Sequence, residues 1–568
     1  MLARLTSGFL PRHVAGQAGR GMTSRGQQRL AAALLAALVL LVFAECLSFS
    51  FVWDEEHFIM RNAYLTSWKY LPHLLLENVD AGAGVRSNPY RPLEMLTHFL
   101  DVRLWGYQAW AHHLTTVLIH AATTVVIFRW LCRFAPWSAA LLAALAYGLH
   151  PLQSVAVPYI PGRVDDLAIL WMCLGLLAFE RSAAVSLLCA VLALLSKESM
   201  ALFPVFLWLH QQAAGRPVSW KRLWPFGAVA LVYVALRLTV LNFHNTLNFY
   251  GHDNIFTQHP SYRVWTYLTT LPEGLRLWLW PHDIHHERAW AVYASLAIPR
   301  VWLSLLGVVA WLGVAAWQWR RRRVVAVGML WFLIATLPTS NLIVLINALF
   351  YDHWFLLPGL GLAMAVSQVP ALHRLSARQT WCAALAVSVG LGAITWRSNR
   401  AWRDPVSLNT HLRRFEPHNP KILHNLAMAL ADQGKLEESI RLYQQAIAES
   451  DVYPHTHHNL ARAYEQLGRL DDAAGEYRKA LAIDRAFHHS ALALGQLELS
   501  RGRDEAAEPM FRSALASFPY STEAYLGLAH LKLKQGDRAG AITELERGLR
   551  VVDDARLREA LKELQFIQ

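Results

Sequence analysis

The sequence predicts an all-α protein in two parts: a polytopic membrane domain of about eleven helices and, after it, a helical repeat solenoid. Three observations carry this. The 568 residues are 54% hydrophobic and only 17% charged, with 23 Trp and a mean hydropathy of +0.23; average chains carry about 25% charged residues. The apolar surplus is gathered in runs long enough to cross a bilayer. After Arg400 those runs give way to a strict period of 34 residues. A wholly soluble, disordered or collagen-like chain is excluded.

The first apolar run is Leu30 to Phe49. Before it come Arg4, Arg12, Arg20, Arg25 and Arg29, with no acid. This predicts a basic cytoplasmic tail over 1–28 and an uncleaved first span. A membrane domain follows over 29–400, with an exported loop at 51–109. Further spans are expected near 111–132, 137–157, 165–180, 183–196, 199–212, 223–242, 300–319, 324–345, 353–370 and 380–396. Cations mark alternate ends: Arg129 and Arg133, Arg181, Arg216 with Lys221 and Arg222, Arg320 to Arg323, Arg374 and Arg378. They agree with one cytoplasmic face. The stretch 265–281 is expected to lie in the interface, because counting it as a span would put Arg320–Arg323 outside. An odd number of spans then places a linker (401–420) and the repeats (421–568) on the exported side.

In the repeats, Gly434, Gly468, Gly502 and Gly536 stand 34 residues apart. Leu426, Leu460, Leu494 and Leu528 keep step, as do Tyr443, Tyr477, Phe511 and Leu545, and Ala446, Ala480, Ala514 and Gly548. This is the tetratricopeptide spacing: two helices per unit, a glycine turn between them, small residues where helices touch. About four pairs form a short solenoid with a groove suited to a peptide or protein; a plain spacer is the simpler alternative.

The net charge is +12, yet residues 421–568 hold 19 basic against 22 acidic side chains. A basic membrane half with a slightly acidic soluble half argues against nucleic acid. The basic residues read as topology signals and phosphate ligands. Cys46, Cys132, Cys173, Cys189 and Cys382 all lie in or beside apolar stretches, so no disulfide framework is expected.

The chemistry is expected in the exported loop and its neighbours. Asp54, Glu55 and Glu56 follow a span directly. They suit a general base at the water–lipid boundary, though a solvated span end explains them as well. Further polar groups fall on the same expected face: Arg91, His113 and His120, His150, Arg163 with Asp165, and Lys197 with Glu198. Each alone has a plain explanation as a snorkelling cation, an ion pair or an interhelical bond. Charges near membrane depth cost several kcal/mol unless paired or hydrated. One shared polar cavity opening outward accommodates them all. Its cations and acids suit an anionic lipid phosphate and a hydroxyl acceptor. Histidine groups at 244, 252, 259, 282, 285, 286 and at 455, 457, 458 have no Cys partners and no HExxH spacing. They are read as polar loop residues, with no metal site assigned, no cofactor firmly implied and a divalent cation left unsupported. Nucleotide-binding glycine loops are absent.

The order of motifs resembles the transmembrane-and-tetratricopeptide-repeat O-mannosyltransferase-like family of the C-type glycosyltransferase superfamily. The matching pieces are VWDEEHFIMRN (52–62), YRPLEMLTHFLDVRLWGYQAWAHHLTTVLIH (90–120), HPLQSVAVPYIPGRVDDL (150–167), LLSKES (194–199), LPTSNLIVLINALFYDHWFLLPGLGL (337–362) and WRSNRAWRD (396–404). The resemblance implies a polyprenyl-phosphate sugar donor, a mannose-like hexose and inverting transfer to Ser/Thr hydroxyls of exported proteins. It implies a catalytic base at Asp54, with Glu55 beside it. Arg91, His150, Arg163 and Lys197 match recurrent polar positions and are assigned to the donor phosphate, Asp165 and Glu198 to their support. The chain departs from the family in two places. Val155 stands where an acid is common, and Asp352-His353-Trp354 where an Arg often precedes an aromatic.

Four expectations follow: a glycosyltransferase in a membrane, with the bacterial inner membrane the natural setting; an exported acceptor held by the repeats; a lipid tail between the spans; and, as the competing reading, an anchored scaffold for envelope assembly whose membrane domain is non-catalytic. A lipid-linked sugar flippase would need an inverted repeat or paired broken helices, and neither is visible.

Overall fold

The computed structural model describes residues 24–83, 87–217, 219–243, 255–286, 288–346 and 348–566. The expected tail over 1–28 lies outside the described residues as far as residue 23, as do His244 and His252. Among the described residues the architecture is helical, without a β-strand. The chain divides into two compact units. One comprises Asp54–Ile284 and Val292–Asn399 with the chain up to Ser48. The other is Arg400–Gln568 with the short segments Phe49–Trp53 and His285–Ala291.

In the first unit a helix stands at each expected span: Ser24–Phe43, Ala109–Leu131, Trp137–Gly148, Arg163–Ala178, Ala183–Ser196, Phe203–Ala213, Trp220–Leu238, Pro299–Arg321, Arg323–Ala335, Leu356–Val366 and Ala377–Asn399. Among the described residues, Arg25–Ser48, Ala109–Leu131, Pro299–Arg321 and Ala377–Trp402 are long and apolar enough to cross a membrane. At ~1.5 Å per residue such helices cover the ~30 Å of a hydrocarbon core. Several of the others are shorter than the apolar runs suggest. Helix Trp137–Gly148 stops because His150-Pro151 turns the chain into a 3₁₀ segment, Pro151–Val155, so the run to 157 is not one helix. Helix Arg323–Ala335 likewise ends before Leu337-Pro338.

The outer face of Pro299–Arg321 shows Leu303, Leu306, Val309 and Trp317, each more than half exposed. Water would penalise so continuous an apolar stripe, whereas lipid does not. The inner face of Trp137–Gly148 is lined by buried Ala139, Ala140, Ala143 and Ala144. Small residues let helix backbones approach where lipid offers no hydrophobic drive between helices. The stretch 265–281 lies mostly in helix Pro260–Leu279. Its Trp278 donates to the Phe355 carbonyl at 2.9 Å and stacks on Tyr147 at 5.4 Å, so this helix is packed into the unit.

In the second unit, helices Pro420–Asp432 and Leu436–Glu449, Pro454–Gln466 and Leu470–Ile483, His488–Ser500 and Asp504–Ser517, Thr522–Lys534 and Arg538–Leu549 form four pairs. Gly434, Gly468, Gly502 and Gly536 close the intra-pair turns at φ +77, +73, +70 and +76, where a side chain is strained. The periodic Leu, aromatic and Ala positions are all buried, Tyr443, Tyr477 and Phe511 to 1% exposure or less. Segment 401–420 contains helix Pro405–Phe415, with Leu408 and Leu412 buried.

A polar ladder runs between repeats. His424 meets the Thr456 hydroxyl at 3.1 Å, and His458 the Ser490 hydroxyl at 3.0 Å. His457 and His458 therefore belong to helix Pro454–Gln466 and its packing, not to a polar loop. Burial holds His424 down to about 4; burial, reinforced by His489, Arg462 and other nearby cations, holds His458 down to about 3. An unfolded imidazole titrates near ~6.5. Below that pH the unfolded chain takes up protons that the folded one refuses. Stability then falls as pH drops, by on the order of 2 kcal/mol per ring at pH 5. His457 acts in the opposite sense. Burial opposes its charge, but Glu476 and Asp451, 2.5 and 2.6 Å away, hold it above its ordinary value. Its contribution is full in acid and is lost as pH rises past that raised value. Hydrogen exchange in helices Pro454–Gln466 and Leu470–Ile483, corrected for intrinsic rates, should lose protection from pH 7 to pH 5. The double change His424→Gln with His458→Gln should flatten that slope; equal protection at both pH values in the unaltered chain would contradict it.

Candidate functional site

The candidate residues of the first unit all stand at helix ends. Arg91 precedes helix Pro92–Trp105, Arg163 opens helix Arg163–Ala178, and Lys197 closes helix Ala183–Ser196. Asp165 and Asp166 sit in the first turn of Arg163–Ala178, where the helix N-terminus favours negative charge. The turn into that helix depends on Gly162. A Cβ there would lie 2.2 Å from the Ala156 carbonyl oxygen, so no other residue fits without moving backbone. Asp54 follows Trp53, whose φ of +58 is left-handed and costs about 1–2 kcal/mol in a non-glycine residue. Strain of this kind persists only where the surroundings over-determine it.

Asp54 is half-buried, and its Oδ2 accepts from the Tyr159 hydroxyl at 2.7 Å. Glu55 is fully buried and accepts from the Ile160 backbone N–H at 2.8 Å. The Tyr159 phenol is pushed well up by burial and by the carboxylates of Asp54, Glu55 and Glu94. Arg91 grips Glu198 through Nε at 3.2 Å and Nη2 at 3.1 Å, a bidentate pair with Glu198 44% exposed. Its Nη1 lies 3.9 Å from Glu94. Lys197 donates to Asp165 at 2.5 Å, with both side chains nearly buried. Burial drives the Glu94 carboxyl up to about 8, although Arg91 and Arg163 pull against it.

Arg163 is completely buried and makes four hydrogen bonds. It donates to Asp101 at 2.7 Å, to Thr116 Oγ1 at 3.0 Å, to Thr97 Oγ1 at 3.2 Å and to the His112 carbonyl at 2.7 Å. Its donors hold helices Pro92–Trp105 and Ala109–Leu131 against the start of its own helix. That is positioning work, and it takes four of the five N–H groups of the guanidinium. His150 is also spent on backbone: Nδ1 accepts from the Leu152 N–H at 3.2 Å and Nε2 faces the Trp278 carbonyl at 3.0 Å. Its polar partners differ from those of Arg91 and Lys197. The structure thus gathers Asp54 and Glu55 around Tyr159 and its neighbour Ile160, Glu198 and Glu94 around Arg91, and Asp165 against Lys197.

Six participants are not singled out by the sequence: Glu94, His98, Asp101, His112, Tyr159 and Asp166. Glu94, His98 and Asp101 do carry a signal, since they recur at helical spacing inside an otherwise apolar pattern. Asp166 is bonded to His120 Nδ1 at 3.0 Å, while His120 Nε2 meets the Gly148 carbonyl at 2.9 Å. Val155 is buried in the 3₁₀ segment after His150. Asp352 is fully buried. Asn341, in the LPTSN segment, has φ +59 and ties its loop through bonds to Ile346 N–H and the Ala348 carbonyl. Among the described residues, His98, Asp101 and His112 bring ligand atoms within 4.8 Å of one another.

A helical membrane domain with ionic groups buried at its helix ends, joined to a tetratricopeptide array, defines the class: an all-α membrane protein with a repeat module. Family profiles described as tetratricopeptide repeat match residues 420–486, 458–522 and 498–564. The chain resembles the transmembrane-and-tetratricopeptide-repeat family whose curated members are named protein O-mannosyl-transferases. It is 25% identical to protein O-mannosyl-transferase TMTC1 of Homo sapiens over 73% of this chain and 55% of that protein. It is 23% identical to human protein O-mannosyl-transferase TMTC4 over 72% and 65% of the two chains. A shorter stretch, 25% of this chain and 18% of the relative, is 31% identical to mouse protein O-mannosyl-transferase TMTC2. The chain spans between about half and two thirds of the length of the relatives that it matches broadly.

Proposed function

We propose that the chain is an integral membrane protein O-glycosyltransferase that moves a mannose-like hexose from a polyprenyl-phosphate donor to Ser/Thr hydroxyls of exported proteins. The observation that supports this most is the half-buried carboxylate of Asp54, held by the Tyr159 hydroxyl at 2.7 Å, in the same compact unit as the Arg91–Glu198 and Lys197–Asp165 pairs. A hydroxyl is a weak nucleophile at neutral pH. Asp54 accepts its proton as the oxygen attacks the anomeric carbon, and the bond to the lipid phosphate breaks with inversion. Charge gathers on the departing phosphate. Arg91, the more accessible cation, exchanges Glu198 for that phosphate, with Lys197 behind it. Glu55, Asp165 and Glu198 hold the donors and the loop in place; Arg163 and His150 position the backbone. The repeats bind the acceptor, and the whole works at the exported face of a bacterial inner membrane.

A second reading has an observation of its own. Arg91, Arg163 and Lys197 each already hold an acidic partner, which suits an anchored scaffold as well as a resting enzyme. Intact-mass analysis of exported proteins, with and without the gene, separates the two. The enzyme predicts a hexose-sized loss on at least one protein in the deletion strain. Unchanged masses together with altered envelope assembly would favour the scaffold.

A further inference from the structure

We propose that His98, Asp101 and His112 form a binding site for one divalent transition-metal ion of the zinc class. The three side chains are 0%, 4% and 0% exposed, and their ligand atoms lie within 4.8 Å of one another. His98 and Asp101 stand one turn apart on helix Pro92–Trp105, and His112 comes from the first turn of helix Ala109–Leu131. Two imidazoles and a carboxylate are the donor set that zinc takes in sites with an open position.

Two features point to an ion rather than to ordinary packing. Neither ring nitrogen of His98 has a hydrogen-bond partner, although the side chain is fully buried, and both oxygens of neighbouring Glu94 are in the same state. Buried polar atoms without partners cost about 1–3 kcal/mol each, and native proteins hold few of them. Glu94 Oε1 lies 3.7 Å from His98 Nε2, near enough to join or flank the ion. His112 is already oriented as metal-bound histidines are. Its Nε2–H meets the Gly106 carbonyl at 3.2 Å, which turns Nδ1 toward Asp101 Oδ2, 3.5 Å away. Asp101 is itself steadied by Thr115 at 2.6 Å and by Arg163 at 2.7 Å, as outer partners steady a ligating carboxylate. Arg163 opposes a nearby cation; the Asp101 carboxylate, which it already pairs at 2.7 Å, offsets it.

The site stands independently of the glycosyltransferase reading, and its test reads binding rather than activity. The full chain, purified in detergent and stripped with a chelator, is dialysed against zinc ion alone and its metal content measured. One tightly held equivalent is expected, lost or weakened at least about tenfold in His98→Gln. Cobalt ion in the same site should give the visible absorption of a low-coordinate complex. Matching melting temperatures of the metal-free proteins verify that His98→Gln is folded. The double change His455→Gln with His489→Gln, in the repeats, should keep the equivalent. No stoichiometric zinc in the unaltered chain, equal zinc in His98→Gln, or loss of zinc only in the repeat variant would each overturn the proposal.

Discussion

Asp54→Asn should lower the rate of sugar transfer by about 10²–10⁴-fold while leaving donor binding unchanged. The amide keeps the shape of the carboxyl and can still accept from the Tyr159 hydroxyl, which now lies 2.7 Å from Oδ2. What it loses is the capacity to take a proton. The loss should therefore fall on kcat and kcat/KM alike, the pattern of an interaction made only in the transition state. Glu55→Gln is the internal comparison. Glu55 is fully buried against the Ile160 N–H, and its amide can still accept that bond, so the rate should change far less. If the two variants lose activity equally, or Asp54→Asn retains the full rate in purified membranes, the base is elsewhere.

The second large effect concerns folding. Arg163→Met should destabilise the membrane unit by about 3–5 kcal/mol, because Asp101 is left as a buried charge without its cation. Thr97, Thr116 and the His112 carbonyl lose their donor in the same step. Replacing Asp101 as well, with Asn, removes the stranded charge and should recover a good part of the loss, since buried pairs are costly chiefly when broken one side at a time. Thermal unfolding of the detergent-solubilised chain measures both. A single variant as stable as the unaltered protein would show that Arg163 does not hold the helices together.

What could be read in the sequence, and what could not, follows from which forces act locally. The repeats were legible because glycine at φ near +75 and buried Leu, aromatic and Ala positions recur at one spacing, each dictated by a single helix pair. The positions of the membrane helices were legible from hydropathy. Their lengths were not: the stop at His150-Pro151 cuts an apolar run that composition alone reads as continuous. In the site, the charged residues at helix ends were visible as exceptions to an apolar pattern. Their partners were not, because Asp101 and Arg163 are 62 residues apart and only the packed helices bring them together. The same distance in sequence hid the structural bonds that Arg163 and His150 make. The left-handed Trp53 before Asp54 has no sequence signature, since an aromatic residue does not favour that region.

The central claim is that the chain itself transfers a sugar from lipid phosphate to protein. The direct measurement supplies the purified, membrane-reconstituted chain with a polyprenyl-phosphate donor carrying labelled mannose and with exported proteins as acceptors. Label is expected on Ser or Thr of an acceptor, released by alkaline β-elimination and absent with Asp54→Asn. No label from the unaltered chain at saturating donor, with the protein folded and acceptor bound to its repeats, would contradict it.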